Sequence, residues 1–173
     1  MFVVTVLYHI VMLLLLPGTV LMLLFCVMSG AVASFPFDTF YWVQVDTSSI
    51  SNLGYDVYRW TFWGICHPSS FSESSQGVCT QLGPAFPISP MDNFDSEFVS
   101  LLPSDFITNQ QSYYYLSRFT FAFILIALVF SGIALINVAV SPIWKSFRDA
   151  NILYICLALI FAVAGAACGT SVS

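Results

Sequence analysis

Cys66, His67, Glu73 and Cys79 come nearest, by type and spacing, to a reactive or metal-holding set. Two thiols with an imidazole and a carboxylate can ligate zinc. Adjacent Cys and His rarely turn toward one ion, however, and both thiols fall in a polar stretch read below as lying outside the cytosol, where cysteines oxidise. A Cys66–Cys79 disulfide is therefore the expected state, with the metal site as its alternative; closing a loop of that size stabilises by about 3 kcal/mol. Asp92, Asp95 and Glu97 invite a calcium reading, but they lack the alternating ligands and central Gly of a calcium loop, so a solvated acidic face is expected. Catalysis requires a nucleophile with its base, or a metal set, in one place. His9 and His67 are expected on opposite sides of the membrane, so no such constellation forms; neither enzymatic activity nor a cofactor is expected.

The elements that position these residues are set by a composition unsuited to water. Of 173 residues, 58% are hydrophobic and 17% aromatic, and only 8% are charged. An apolar run of about 20 helical residues crosses a hydrocarbon core roughly 30 Å thick. Three such runs are present, giving spans at residues 2–28, 115–140 and 150–168. The polar turn 141–149 makes the last two antiparallel neighbours. Residues 29–114 form one large loop, and residues 169–173 end the chain on the loop's side. No ionisable group lies near the centre of a span, which argues against a transport route. Asn137 and Asn151 fall near an interface, where amides are usually hydrated or capping.

Lys145 and Arg148 sit in the short turn, whereas only Arg118 borders the long loop closely and Arg59 lies deep within it. Cytosolic segments are enriched in Lys and Arg, so the turn and the N-terminus are expected in the cytosol and the loop outside the cell, in agreement with the cysteines. The rival is a cleaved signal peptide ending at Ala31-Val32-Ala33. The absence of a basic start and the length of the first run favour a retained anchor. The loop holds Asp38, Asp46, Asp56, Glu73, Asp92, Asp95, Glu97 and Asp105, so the net charge of -5 resides largely there, and nucleic acid is excluded as a partner by repulsion.

Within the loop, Phe40–Val45 and Tyr55–Trp63 are aromatic and β-branched and read as paired strands. Gly64–Pro68 and Gly77–Cys79 read as a hairpin around a Ser-rich tip. The stretch carrying Pro84, Pro87, Pro90 and Pro103 reads as irregular. Tyr113, Tyr114, Tyr115 and Arg118 are expected to anchor the outer membrane interface, and Trp144, Lys145 and Arg148 the inner one. Ala158, Ala162, Gly165 and Ala166 give the third span one smooth face for a close-packed helix, from this chain or from a partner.

Trp60, Trp63-Gly64-Ile65-Cys66 and Cys79, lying between the first two spans, resemble the loop signature of the four-helix claudin and peripheral-myelin-protein superfamily. With Phe40-Tyr41-Trp42, Asp46-Thr47-Ser48, Pro84-Ala85-Phe86-Pro87 and Tyr114-Tyr115-Leu116-Ser117-Arg118-Phe119, the chain is similar over about residues 5–168 to a fungal branch, the Sur/PalI family of plasma-membrane proteins. The resemblance implies an α-helical, claudin-like transmembrane bundle with a small antiparallel β-sheet in its first extracellular loop, a plasma-membrane location, and structural roles for Trp60, Trp63 and Gly64. It also implies a non-enzymatic scaffold tied to eisosome-type membrane domains and cell-wall integrity. The alternative is an auxiliary subunit of a larger channel, pump, cell-wall synthase or ambient-pH receptor. Expected partners are membrane lipids such as sterol or sphingolipid, and further copies of the chain or a larger membrane protein. A lipid-modifying enzyme with its site elsewhere ranks third. The fourth helix of the pattern is missing, and the expectation is that the full protein is longer.

Overall fold

The structure is a computed structural model that describes residues 2–32, 34–49, 54–80, 83–94, 99, 102, 104–141 and 146–172. The long helices are α1 (Phe2–Met28), α4 (Gln110–Val140) and α5 (Ser146–Thr170). The segments Val6–Met28, Gln110–Val140 and Ala150–Thr170 are long and apolar enough to cross a membrane. Between α1 and α4 come strands β1 (Val43–Asp46), β2 (Val57–Trp60), β3 (Ile65–His67) and β4 (Val78–Thr80), then the short helices α2 (Pro90–Asn93) and α3 (Ser104–Thr108). The protein is thus an α-helical membrane protein of claudin-like order, with a four-stranded antiparallel sheet between its first two spans.

Three helix bounds depart from the hydropathy reading, one of them the end of α5, at Thr170 rather than Cys168. Helix α4 starts at Gln110 rather than near Tyr115, because good helix formers continue the helix beyond the apolar run. Helix α5 starts at Ser146 rather than near Ala150, so the polar turn is shorter than expected; residues 142–145 lie outside the described set. The strands are also shorter than the aromatic runs that signalled them.

The chain divides into two compact units. The helical unit comprises residues 1–27 and 122–166. Leu16, Ala134 and Val138 form its apolar centre, with Met12, Leu135, Tyr154 and Ile155 packed around them. Its small residues permit close approach: Ala127 and Ala134 are fully buried, and a Cβ on Gly165 would stand 3.0 Å from Ile124. His9 pairs with Ser141 at 2.8 Å. Asn137 and Asn151 are buried rather than hydrated, which corrects the sequence reading, and among the described residues the Asn151 Oδ1 finds no hydrogen-bond donor.

The sheet unit comprises residues 28–121 and 167–173. Its strands run in sequence order, β1-β2-β3-β4, as a meander of short connections. Tyr58, Trp60, Ile65, Ile88 and Val172 form its core, flanked by Trp42, Val43, Val45, Phe86, Phe94, Tyr113 and Leu116. Large aromatic side chains dominate because each buries much area on a small sheet and can stack edge to face; Phe94 meets Tyr58 at 4.9 Å and Trp60 at 5.9 Å in this way.

Candidate functional site

The strand register sorts the sheet unit's chemistry onto two faces. Gln44 pairs with Arg59, Arg59 with Cys66, and Cys66 with Cys79, forming one row across all four strands. Side chains alternate between faces along a strand, so the intervening residues Val43, Val45, Tyr58, Trp60 and Ile65 point to the opposite, apolar core. The two faces carry different work, one polar and cross-linked and the other aromatic.

On the polar face Cys66 and Cys79 form a disulfide, with Cα atoms 3.9 Å apart. The metal alternative is thereby removed: both thiols are consumed, and His67, on the other face by alternation, stacks on Tyr55 at 3.9 Å. Gly77 makes the return into β4 possible. It adopts φ +70°, and a Cβ there would meet the His67 carbonyl and lie 2.8 Å from the Cα of Pro68.

Arg59 is only 1% exposed, which the sequence did not signal. Its Nε donates to Gln44 Oε1 at 2.9 Å, Nη1 to the Ser75 carbonyl at 2.7 Å, and Nη2 to the Glu73 carbonyl at 2.6 Å. The Phe71 carbonyl lies 3.4 Å from Nη2. The guanidinium also covers the Tyr41 ring at 4.5 Å. A buried cation is tolerated when its five donors are used, and here the backbone carbonyls of the Ser-rich tip supply most of the acceptors. Arg59 thus folds the tip over the polar face.

Glu73 completes the tip from outside. Its carboxylate accepts from the backbone N–H of Ser69 and from the hydroxyls of Ser69 and Ser75, and these bonds hold its pKa down to about 2. Gln76, also buried, donates to the Phe40 carbonyl and ties the end of the tip to the entry of β1. Burial pushes the His67 pKa below its ordinary value.

The β2–β3 turn rests on Thr61, whose Oγ1 bonds the Gly64 carbonyl and accepts from the backbone N–H groups of Trp63 and Gly64. Trp60 donates its indole N–H to Asn93 Oδ1 at 2.9 Å, and Trp63 meets Phe121 edge-on at 6.1 Å. A hollow of about 10 Å³ lies among Trp42, Phe62, Ile88, Ser117, Thr120 and Gly169. It has room for one water and none for a lipid or substrate.

The remaining candidate residues are dispersed. Tyr113 packs on the sheet core and Tyr115 is exposed, while Arg118 lies over the Tyr114 ring at 4.8 Å and reaches the Ala85 carbonyl at 3.3 Å. Ala158 and Gly165 are buried in the helical unit, Ala162 is half-buried and Ala166 exposed. Gly165 faces Ile124 and Phe123 of the chain's own α4. Asp95, Glu97, Trp144 and Lys145 fall outside the described residues, as does the side chain of Arg148. Among the described residues no cluster of His, Cys, Asp and Glu could hold a metal ion.

A sequence profile of the SUR7/PalI family matches residues 8–173. Protein SUR7 of Candida albicans is 44% identical over 91% of this chain and 55% of its own length, and protein SUR7 of Saccharomyces cerevisiae is 36% identical over 95% of this chain and 53% of its own. An uncharacterized plasma membrane protein of the same yeast is 36% identical over 77% of this chain and 42% of its own length. The chain therefore spans about half the length of the curated relatives it matches. No solved structure matches it.

Proposed function

Because the chain belongs to the SUR7/PalI family, we propose that it is a non-enzymatic organiser of a plasma-membrane domain linked to cell-wall integrity. The loop would lie outside the cell, with the N-terminus and the α4–α5 turn in the cytosol. The observation that carries the reading is how the sheet unit uses its polar groups: Arg59, Glu73, Gln76 and Asn93 are all spent on holding their own fold. That produces a self-contained sheet unit carried between two spans, suited to spacing and gathering neighbours. Two features support the orientation. The disulfide requires an oxidising compartment, and Lys145 and Arg148 flank the short connection, where basic residues mark the cytosolic side.

A second reading, an auxiliary subunit of a larger membrane complex, is favoured by the apolar surface that α1 leaves uncovered at Leu7, Leu14, Leu21 and Met22. Such a surface suits membrane lipid, including sterol or sphingolipid, as well as a partner helix. Purification of the native protein in a gentle detergent, with mass spectrometry of what accompanies it, separates the two. Copies of itself with lipid support the organiser. One large, unrelated membrane protein at constant ratio overturns it in favour of the subunit.

A further inference from the structure

The Ser-rich tip contains serines of two kinds. Ser69 and Ser75 give their hydroxyls to the Glu73 carboxylate, at 2.6 and 2.7 Å. Ser70, Ser72 and Ser74 alternate with them, are exposed, and among the described residues their hydroxyls hold no partner. Elsewhere in the sheet unit, hydroxyls commonly turn back onto the chain: Ser29 to the Phe40 carbonyl, Thr39 to that of Pro36, Thr47 to that of Tyr55, and Ser117 to that of Tyr113. The backbone from Ser69 to Gly77 belongs to neither helix nor strand, so a modifying enzyme could engage it without unfolding an element. The tip nevertheless keeps a fixed shape, because Arg59 grips its carbonyls from beneath. Between the free serines Phe71 is 56% exposed, an apolar ring presented to solvent.

We propose that Ser70, Ser72 and Ser74 are acceptor sites for O-linked hexose, added while the loop lies on the non-cytosolic side of the secretory membranes. The inference rests on the outward placement of the loop proposed above. In the transfer, a serine Oγ attacks the anomeric carbon of a hexose activated as a lipid-linked or nucleotide-linked phosphate. The new bond is Oγ–C1, the C1–phosphate oxygen bond breaks with its electron pair leaving on the phosphate, and the hydroxyl proton passes to a base of the transferase. No oxidant or reductant is needed. The sugar's apolar C–H face then covers Phe71, which accounts for an aromatic ring at the apex of a hydroxyl-rich, acidic loop. Glu73 determines which serines are used by withdrawing Ser69 and Ser75.

The test uses full-length protein from native membranes, digested after reduction, with mass spectrometry of the peptide that contains the tip. The expected result is a ladder of hexose increments assigned to residues 70, 72 and 74, abolished by the triple change of these serines to Ala and retained when each is Thr. Among the described residues the three hydroxyls hold no partner, and the backbone hydrogen bonds of Ser70 survive the change to Ala, so the triple variant folds. A parallel Ser49→Cys variant is treated in intact cells with a membrane-impermeant maleimide; Ser49 is exposed on the same unit. Labelling with an unmodified tip overturns the glycan proposal alone. Labelling only after permeabilisation, with an unmodified or phosphorylated tip, overturns both it and the outward loop.

Discussion

Tyr55 lies flat on His67, ring centroids 3.9 Å apart and planes within 7° of parallel, while Tyr58 meets the same imidazole edge-on at 4.6 Å. Burial in this aromatic slot lowers the imidazole's pKa, so the folded sheet unit binds its proton less readily than the unfolded chain does. Stability from this site is present above the unfolded value near 6.5 and is lost as pH falls below it. Melting of the purified protein, followed by tryptophan fluorescence between pH 8 and pH 5, is expected to show a midpoint that declines on the acid side. His67→Gln is expected to remove that slope.

A separate acid step belongs to Glu73. Its folded pKa of about 2, against 4.5 when unperturbed, means that its contribution is complete above about 4.5 and is lost as pH falls toward 2. Hydrogen exchange at the tip amides of residues 69–75 is expected to speed up in that window. In a Glu73→Gln variant the same amides exchange fast at neutral pH, with the aromatic core unaffected.

Replacing Arg59 by Met removes the donor that the carbonyls of Glu73 and Ser75 share, while the Phe71 carbonyl keeps Gln44 Nε2 at 2.8 Å. Leaving buried carbonyls unsatisfied is expected to destabilise the sheet unit by about 3 kcal/mol. The readout is limited proteolysis: cleavage within the tip, resisted by the parent protein, appears first in the variant. Arg59→Lys can restore one or two of the hydrogen bonds but not the fork, so an intermediate result is expected.

Cys66→Ala with Cys79→Ala lowers the unfolding free energy of the sheet unit by about 3 kcal/mol on the chain-entropy account. The spans retain their helicity by circular dichroism. Arg59 and Cys66 are register partners, so the effects of losing the guanidinium and the disulfide are expected to be non-additive, a coupling that a double-mutant cycle measures.

Gly165 sits against α4 with space for a hydrogen and little else; a Cβ there would lie 3.0 Å from Ile124. Gly165→Leu is expected to force the helices apart and cost about 1 to 3 kcal/mol, read as lowered thermal stability in detergent. Gly18 has nothing within 4 Å of its added Cβ, so Gly18→Ala serves as the neutral control.

The spans and the hairpin were legible because each is signalled by its own residues. Long apolar runs announced α1, α4 and α5, and the glycine-flanked cysteines announced β3 and β4. Hydropathy does not register the amide-bearing turn Gln110-Gln111-Ser112, so the start of α4 was placed too late. The burial of Arg59 is not legible in the sequence, because its acceptors are mostly backbone carbonyls, which no side-chain pattern advertises. Position near a span's end suggests an interfacial amide at Asn151, but which face of a helix is covered depends on neighbours distant in sequence. The disulfide needed only the compartment argument and the count of cysteines outside the spans.

The row Gln44, Arg59, Cys66 and Cys79 also determines how the loop bears a pull. Tension applied at the Ser-rich tip would ordinarily peel the edge strand β4 away one hydrogen bond at a time. Here the covalent link passes that tension from β4 into β3, and the guanidinium, rooted in β2 and gripping the tip's carbonyls, carries a parallel share into the middle of the sheet. Strands β2, β3 and β4 must then yield together rather than one after another, so a pull on the tip is shared across the sheet instead of falling on its edge.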